Sequence, residues 1–275
     1  MCEKKLYCDP GARAVVLPKD TGLVIESHSS KMYGRLLLPA FDDLDSTCPL
    51  VLMLHGYPGV EQNVDIAQLL RMAGYAVVHF SYRGVWGSHG DYCLSHLIED
   101  TFTVATYIRE HALSWRVNPE KLYLLGHSMG GFTAVNAMAG GLKVNGAVLM
   151  APCNISHKYL FNKPAFEILM RCQDDGYFHT PSRDFIENDV REHAEQWLFE
   201  NAAEKLDTDI FYGFIGGATD GSTPPDVHIY PLLEKLRERG AKVHYTEICD
   251  GHTFPANRFR LAAQIVSYLK EMELT

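Results

Sequence analysis

The chain has 275 residues, 47% of them hydrophobic and 21% charged, and a formal net charge of −9, the make-up of an ordinary globular protein large enough for one sizeable α/β domain. With that acidic balance and no Lys/Arg-rich stripe, a nucleic-acid partner is excluded, because phosphates need cations to meet them. No apolar run reaches the length of a bilayer span, and the thirteen histidines show no metal-ligand spacing, so neither a membrane partner nor a metal is expected.

The N-terminal stretch MCEKKLYCDPGARAVV lacks the apolar core of a secretory signal. Seven cysteines are scattered without a Cys-x-x-Cys pair, which points to free thiols in a reducing, cytoplasmic compartment. Thr21–Ile25 and Lys31–Leu38 read as two strands of an antiparallel hairpin around His28-Ser29-Ser30. Leu50–Leu54 is a continuous apolar run of the kind buried on both faces. A helix over Asp65–Ala73 stops at Gly74, and Tyr75–Phe80 is the next buried strand. Leu94–His111 has helical periodicity, with Leu94, Ile98, Phe102, Ala105 and Ile108 along one face. Strands at Leu122–Leu125 and Gly146–Met150 flank a helix that begins after Ser128. Ile210–Ile215, Tyr230–Arg239, Lys242–Ile248 and Phe259–Met272 complete an alternation of strand and helix. Such alternation implies a mostly parallel, doubly wound α/β sheet.

One segment breaks this rhythm. Between about Ile155 and Leu206 there is no buried-strand signal, but many aromatics (Tyr159, Phe161, Phe166, Tyr177, Phe178, Phe185, Trp197, Phe199), and Phe185–Glu204 has helical character. Long excursions of this kind are commonly functional. Both ends are expected to emerge on the face where ligands collect in such sheets. The division is therefore a core of residues 1–154 and 207–275 and a mainly helical cap over 155–206.

The chemistry is concentrated in Gly126-His127-Ser128-Met129-Gly130-Gly131. A strand, a sharp turn and a helix present one serine at the apex, and Gly126 and Gly130 lack the Cβ atoms that would collide there. The N–H of Met129, opening the next helix, points where an oxyanion would form. A serine hydroxyl needs a base and an orienting carboxylate, expected in the chain order Ser, Asp/Glu, His. His252, in the loop after Lys242–Ile248, is the candidate base. Asp220, in the loop after Ile210–Ile215, is the candidate acid, with Asp226 as its rival; Asp250 is too near His252 in sequence to reach its Nδ1. In His55-Gly56-Tyr57-Pro58-Gly59 the proline has no N–H, which leaves Tyr57 as the second oxyanion donor. His55 and His127 are read as braces. Trp86, Tyr159 and Phe254 are candidates to contact substrate.

The segments HGYPG, YRGVWGS, GHSMGG, GGATDGSTPP and DGHTFP, in that order, resemble the α/β-hydrolase superfamily, and within it the dienelactone-hydrolase and prolyl-oligopeptidase-like branch with its cinnamoyl/feruloyl esterases. The likeness extends over Leu50–Met272 apart from the cap. It implies Ser128 as nucleophile, Asp220 as acid and His252 as base, and an insertion at the position of residues 155–206. The serine departs from the cysteine of true dienelactone hydrolases. The expectation is a serine esterase acting on a small carboxylic ester through an acyl-enzyme, with no cofactor. A small-peptide or aminoacyl peptidase is the first alternative, for which Asp174-Asp175 is the candidate acidic pair; a thioesterase or acyltransferase is the second.

Overall fold

The structure, a computed structural model, describes residues 14–274, the side chain of Asp174 excepted. The N-terminal stretch up to residue 13, with Cys2 and Cys8, lies outside them. Eight strands form one sheet in the order β1-β2-β4-β3-β5-β6-β7-β8: β1 Lys19–Ser27, β2 Ser30–Leu38, β3 Cys48–Leu54, β4 Ala76–Phe80, β5 Val117–His127, β6 Gly146–Met150, β7 Phe211–Gly217 and β8 Lys242–Ile248. The hairpin β1–β2 is antiparallel and joins antiparallel to β4, and every later pairing is parallel. The apolar runs sit where they must: β4, β6 and β7 are buried along their whole length, as strands covered on both faces have to be.

The covering layers differ. Helices α1 (Val64–Met72) and α10 (Arg258–Met272) close one face, over Val51, Val77, Leu125 and Val148. On the other face lie α2 (Leu94–His111), α3 (Met129–Ala139) and α9 (Tyr230–Glu238), over Leu52, Val78, Leu124 and Ala147. The buried stripe of α2 is rotated from the expected one. It runs through Leu94, Leu97, Thr101, Val104, Ala105 and Ile108 and includes the fully buried Asp100, whereas Ile98 and Phe102 are only partly buried. The carboxylate of Asp100 accepts from the Arg83 backbone N–H (2.9 Å), Arg83 Nε (2.6 Å) and Ser27 Oγ (2.8 Å), so a polar residue occupies the core stripe because its bonds are met there. Strand β5 is also longer than its apolar core, since Asn118-Pro119-Glu120 masks its first half at an irregularity in the register with β3.

The segment after β6 folds into helices α4 (Ile155–Phe161), α5 (Lys163–Asp174), α6 (Arg183–Trp197) and α7 (Phe199–Ala202). Capping chemistry starts three of them: Asn154 accepts from His157 N, Asn162 from Ala165 N and Ser182 from Phe185 N. Contrary to expectation, the two ends of this segment do not both sit at the carboxyl ends of the strands. The chain leaves β6 at Met150 and re-enters the sheet at Phe211, which pairs with Gly146 at the opposite end. A parallel sheet requires that return, and the stretch around α7 is therefore the descending crossover. Arg239 fastens it by donating to Leu206 O (2.8 Å) and to Ala203 O.

Candidate active site

Ser128 lies between the last residue of β5 and the first of α3, with φ 55° and ψ −118°. For a residue with a Cβ that conformation costs on the order of 1–3 kcal/mol and persists only where the surroundings enforce it. They do. Ser128 N donates to Met150 O (3.0 Å), and Ser128 O accepts from Cys153 N (2.9 Å) and Gly131 N (2.9 Å). A Cβ at Gly126 would stand 2.5 Å from Gly130 O, one at Gly131 would stand 2.6 Å from Pro152 Cβ, and one at Gly130 would fall inside the carbonyl oxygen of Leu54. The third glycine, Gly131, has a reason that the Gly-x-Ser-x-Gly spacing does not reveal: it is crossed by the chain leaving β6.

The three expected side chains meet at this turn. His252 Nε2 lies 2.9 Å from Ser128 Oγ, and His252 Nδ1 lies 2.8 Å from Asp220 Oδ2. The Asp220 side chain is fully buried, yet four donors hold its charge: Ser222 N (2.8 Å), Thr223 N (2.9 Å), Thr223 Oγ1 (2.8 Å) and the imidazole. Burial alone would raise its pKa, but the hydrogen bonds and the attraction of His252 together with the Thr223 donors hold it well below the ordinary carboxylate value. An ionised Asp220 accepts the Nδ1 proton and leaves Nε2 free to accept from the serine hydroxyl. The rivals are engaged elsewhere. Asp226 is exposed in the short helix α8 (Pro225–His228), and Asp250 accepts from Gly251 N, Ala256 N and Asn257 Nδ2 within its own loop.

The loop that carries His252 is held from two sides. His127 Nε2 donates to His252 O at 3.0 Å. Burial pushes the His127 pKa down to about 3, so this imidazole stays neutral and keeps the proton that it donates. From the other side, Arg258 donates to Thr253 O (2.7 Å) while pairing with Asp65 and bonding Asn63 Oδ1 (2.8 Å). His55 braces the opposite loop: its Nδ1 donates to Gly56 O (2.8 Å), and burial pushes its pKa down to about 4. Gly56 lies directly against the serine, since a Cβ there would come within 3.1 Å of Ser128 Cβ. The next residue, Tyr57, precedes a cis proline and lines the cleft beside Ser128. Met129 opens α3 immediately after Ser128.

The cleft at Ser128 has a volume of about 330 Å³. Besides Ser128, His252 and Tyr57, it is lined by Cys153, by Lys158 of α4, by Ala165, Ile168, Leu169 and Cys172 of α5, and by Gly221, Ser222 and Thr223. The three side chains expected to touch substrate are not among these. Trp86 is 56% exposed on a different groove, stacked against Gly59. Phe254 is in the core with the helix α10. Tyr159 is turned into the insertion, where Arg191 Nε donates to its hydroxyl (3.1 Å) and its ring packs against Phe166. Other aromatics of residues 155–206 pack on the core, Phe178 on Tyr57 and Tyr92, Phe185 on His96 and Trp197 on Phe132, and the wall facing the cleft is largely aliphatic. Thr223, Lys158 and Ile168 were missed by sequence reasoning. A hydroxyl three residues after Asp220 is a recognisable turn signal; nothing local distinguishes Lys158 or Ile168 from other helix residues.

A profile of the alpha/beta hydrolase family matches residues 51–256, and the chain belongs to that family. It is 33% identical over 94 residues to the lysophosphatidylserine lipase ABHD12 of Danio rerio, a match covering 33% of this chain and 23% of that protein. With the probable aminopeptidase YbaC of Bacillus subtilis (strain 168) it shares 31% identity over 131 residues, 45% of this chain and 39% of the relative. The chain thus spans well under half the length of these curated relatives. Among solved structures, Est1E from Butyrivibrio proteoclasticus with ferulic acid bound aligns with a TM-score of 0.69 at 18% identity, covering 92% of this chain and 100% of that one. At that identity the likeness is one of fold. No helix among the described residues is long and apolar enough to cross a membrane.

Proposed function

We propose that the chain is a serine hydrolase of carboxylic esters. The observation that carries the reading is the continuous relay Asp220–His252–Ser128, with links of 2.8 and 2.9 Å, ending on a strained turn. In this reading Ser128 Oγ attacks the ester carbonyl carbon while His252 Nε2 takes its proton. The carbonyl π electrons move onto oxygen, and the backbone N–H groups of Tyr57 and Met129 stabilise the oxyanion; one such donor contributes on the order of 3 kcal/mol. Collapse of the tetrahedral intermediate breaks the bond to the alcohol oxygen, which leaves with the proton from His252. Water then attacks the acyl-enzyme by the same route and releases the acid and Ser128. Helices α4 and α5 act as the cap over the acyl group.

An ester is favoured over an aminoacyl peptide by the lining of the cleft. A free amino terminus needs a carboxylate to hold it, and no acidic residue is among the described residues that line the cleft, whereas Lys158 is. The likeness to Est1E agrees with this reading, and that to YbaC keeps the peptidase as the alternative to test. The five described cysteines are all free thiols, which fits a reducing cytoplasmic setting.

The test is labelling with a fluorophosphonate, together with turnover of 4-nitrophenyl butyrate, methyl ferulate and aminoacyl arylamides. Ser128→Ala is expected to abolish the label and to lower kcat by on the order of a million-fold. A label that survives Ser128→Ala would overturn the reading, and cleavage of arylamides with no ester turned over would replace the esterase by the peptidase.

A further inference from the structure

Lys158 stands out in the cleft. It is half-buried on α4, its Nζ donates to Ser222 O at 2.9 Å, two residues from the acid Asp220, and it lines the same space as Ser128 and His252. No ion pair among the described residues includes it, although fifteen are present in the fold. The Ser222 carbonyl and the neighbouring Cys153 thiol engage two of the three donors that an ammonium carries. The rest of the described lining contributes no acid, and the wall beside the lysine is aliphatic, from Ile168 and Leu169. A chain of net charge −9 therefore presents, in the cleft at the serine, a cation that none of the described ion pairs includes. The bond to Ser222 O is solvent-exposed, so the ammonium keeps part of its hydration, and an anion entering with the substrate meets it as a partner at the mouth of the cleft.

We propose that Lys158 selects esters that carry a negative charge, a carboxylate or a phosphate, within reach of the scissile bond, the apolar part of the substrate lying along Ile168 and Leu169. This rests on the esterase reading above and names its substrate class. Lys158 acts on binding, and the proton transfers remain with His252 and Ser128.

Two matched pairs of substrates test it. Mono-4-nitrophenyl glutarate against 4-nitrophenyl pentanoate places the charge on the acyl side. The butyryl ester of glycerol 3-phosphate against monobutyrylglycerol places it on the alcohol side. Acid release gives kcat/KM for each. The wild-type chain is expected to favour the charged member of at least one pair by about five-fold, the upper worth of an exposed ion pair. In Lys158→Gln that ratio is expected to fall to near one, and in Lys158→Arg to stay well above one. The pair that shows the preference identifies which side of the ester carries the anion. Ratios near one in both pairs for the wild type, or a ratio that Lys158→Gln leaves intact because both members slow together, would overturn the proposal while leaving the esterase standing. If no ester of either pair is turned over, the esterase reading fails first and this one with it.

Discussion

At the floor of the cleft, Gly126, Gly130 and Gly131 have no room for a methyl group, and Ser128 is held in a backbone conformation by bonds to Met150, Cys153 and Gly131. At the wall formed by α4 and α5, Ile168 is 62% exposed and Lys158 is half-buried without an ionic partner. The two regions bound one space, yet they respond to different demands. In the proposed reaction, oxyanion and nucleophile must be placed to within a fraction of an ångström, a demand that close backbone contacts can meet. A wall that only has to accommodate an acyl chain needs area and charge of the right kind. Changes at the floor should therefore act on kcat for every substrate, and changes at the wall on KM for some.

The sharpest way to break this comparison is at Asp220. Asp220→Asn keeps the shape but removes the charge that orients His252, and kcat is expected to fall by about ten-thousand-fold on charged and neutral esters alike; a loss confined to one substrate would blur floor into wall. Next comes Gly130→Ala, whose methyl would meet Leu54 O. Overpacking against backbone is expected to cost about 3 kcal/mol, read as a shift in the urea midpoint, and an unshifted midpoint would mean that the turn is looser than its geometry.

A third handle is pH. His55 and His79 have pKa values pushed down to about 4, and His127 and His228 to about 3, each chiefly by burial, from an ordinary value of 6.5. The folded chain refuses protons that the unfolded chain accepts. Stability is thus complete above about pH 6.5 and falls as the pH drops towards 4, by up to roughly 1.4 kcal/mol per pH unit for each histidine. Urea midpoints at pH 7, 6 and 5 should decline progressively, and His79→Gln should shallow the slope by about one proton; a flat profile would show these imidazoles charged in the fold. The smallest effect belongs to the wall: Ile168→Ala should raise KM for long-chain acyl esters about five-fold, near 1 kcal/mol of lost apolar contact, with kcat on short esters and the urea midpoint close to those of the parent.

The same contrast explains what the amino-acid string made legible. Glycines at 126 and 130 are forced by backbone contacts, so the turn announces itself, and a parallel sheet confines Asp220 and His252 to loops at one end of their strands. The alternation of apolar runs gave the sheet order no direct mark but fixed its class. Where side-chain packing decides, the string was silent. Trp86, Tyr159 and Phe254 are apolar or aromatic in suitable loops or helices, but which way each turns depends on Gly59, on Arg191 and on the core cluster with Val51 and Met150, contacts made far along the chain. Asp100 lay inside an otherwise apolar stripe because its partners Ser27 and Arg83 belong to other elements. The path of residues 155–206 was half visible: the excursion could be recognised, but its descent to the far end of β7 follows from strand direction.

One bond at the elbow has a bearing on the reaction cycle as a whole. In the proposed cycle, a serine oxygen that has been acylated no longer has a proton to offer His252, and the imidazole loses its partner on that side. The hydrogen bond from His127 to the His252 carbonyl does not depend on the hydroxyl. It joins the backbone of His252 to the residue preceding Ser128, and with Asp220 still holding Nδ1 the imidazole would, in that proposed cycle, keep its place for the incoming water for as long as the intermediate lasts.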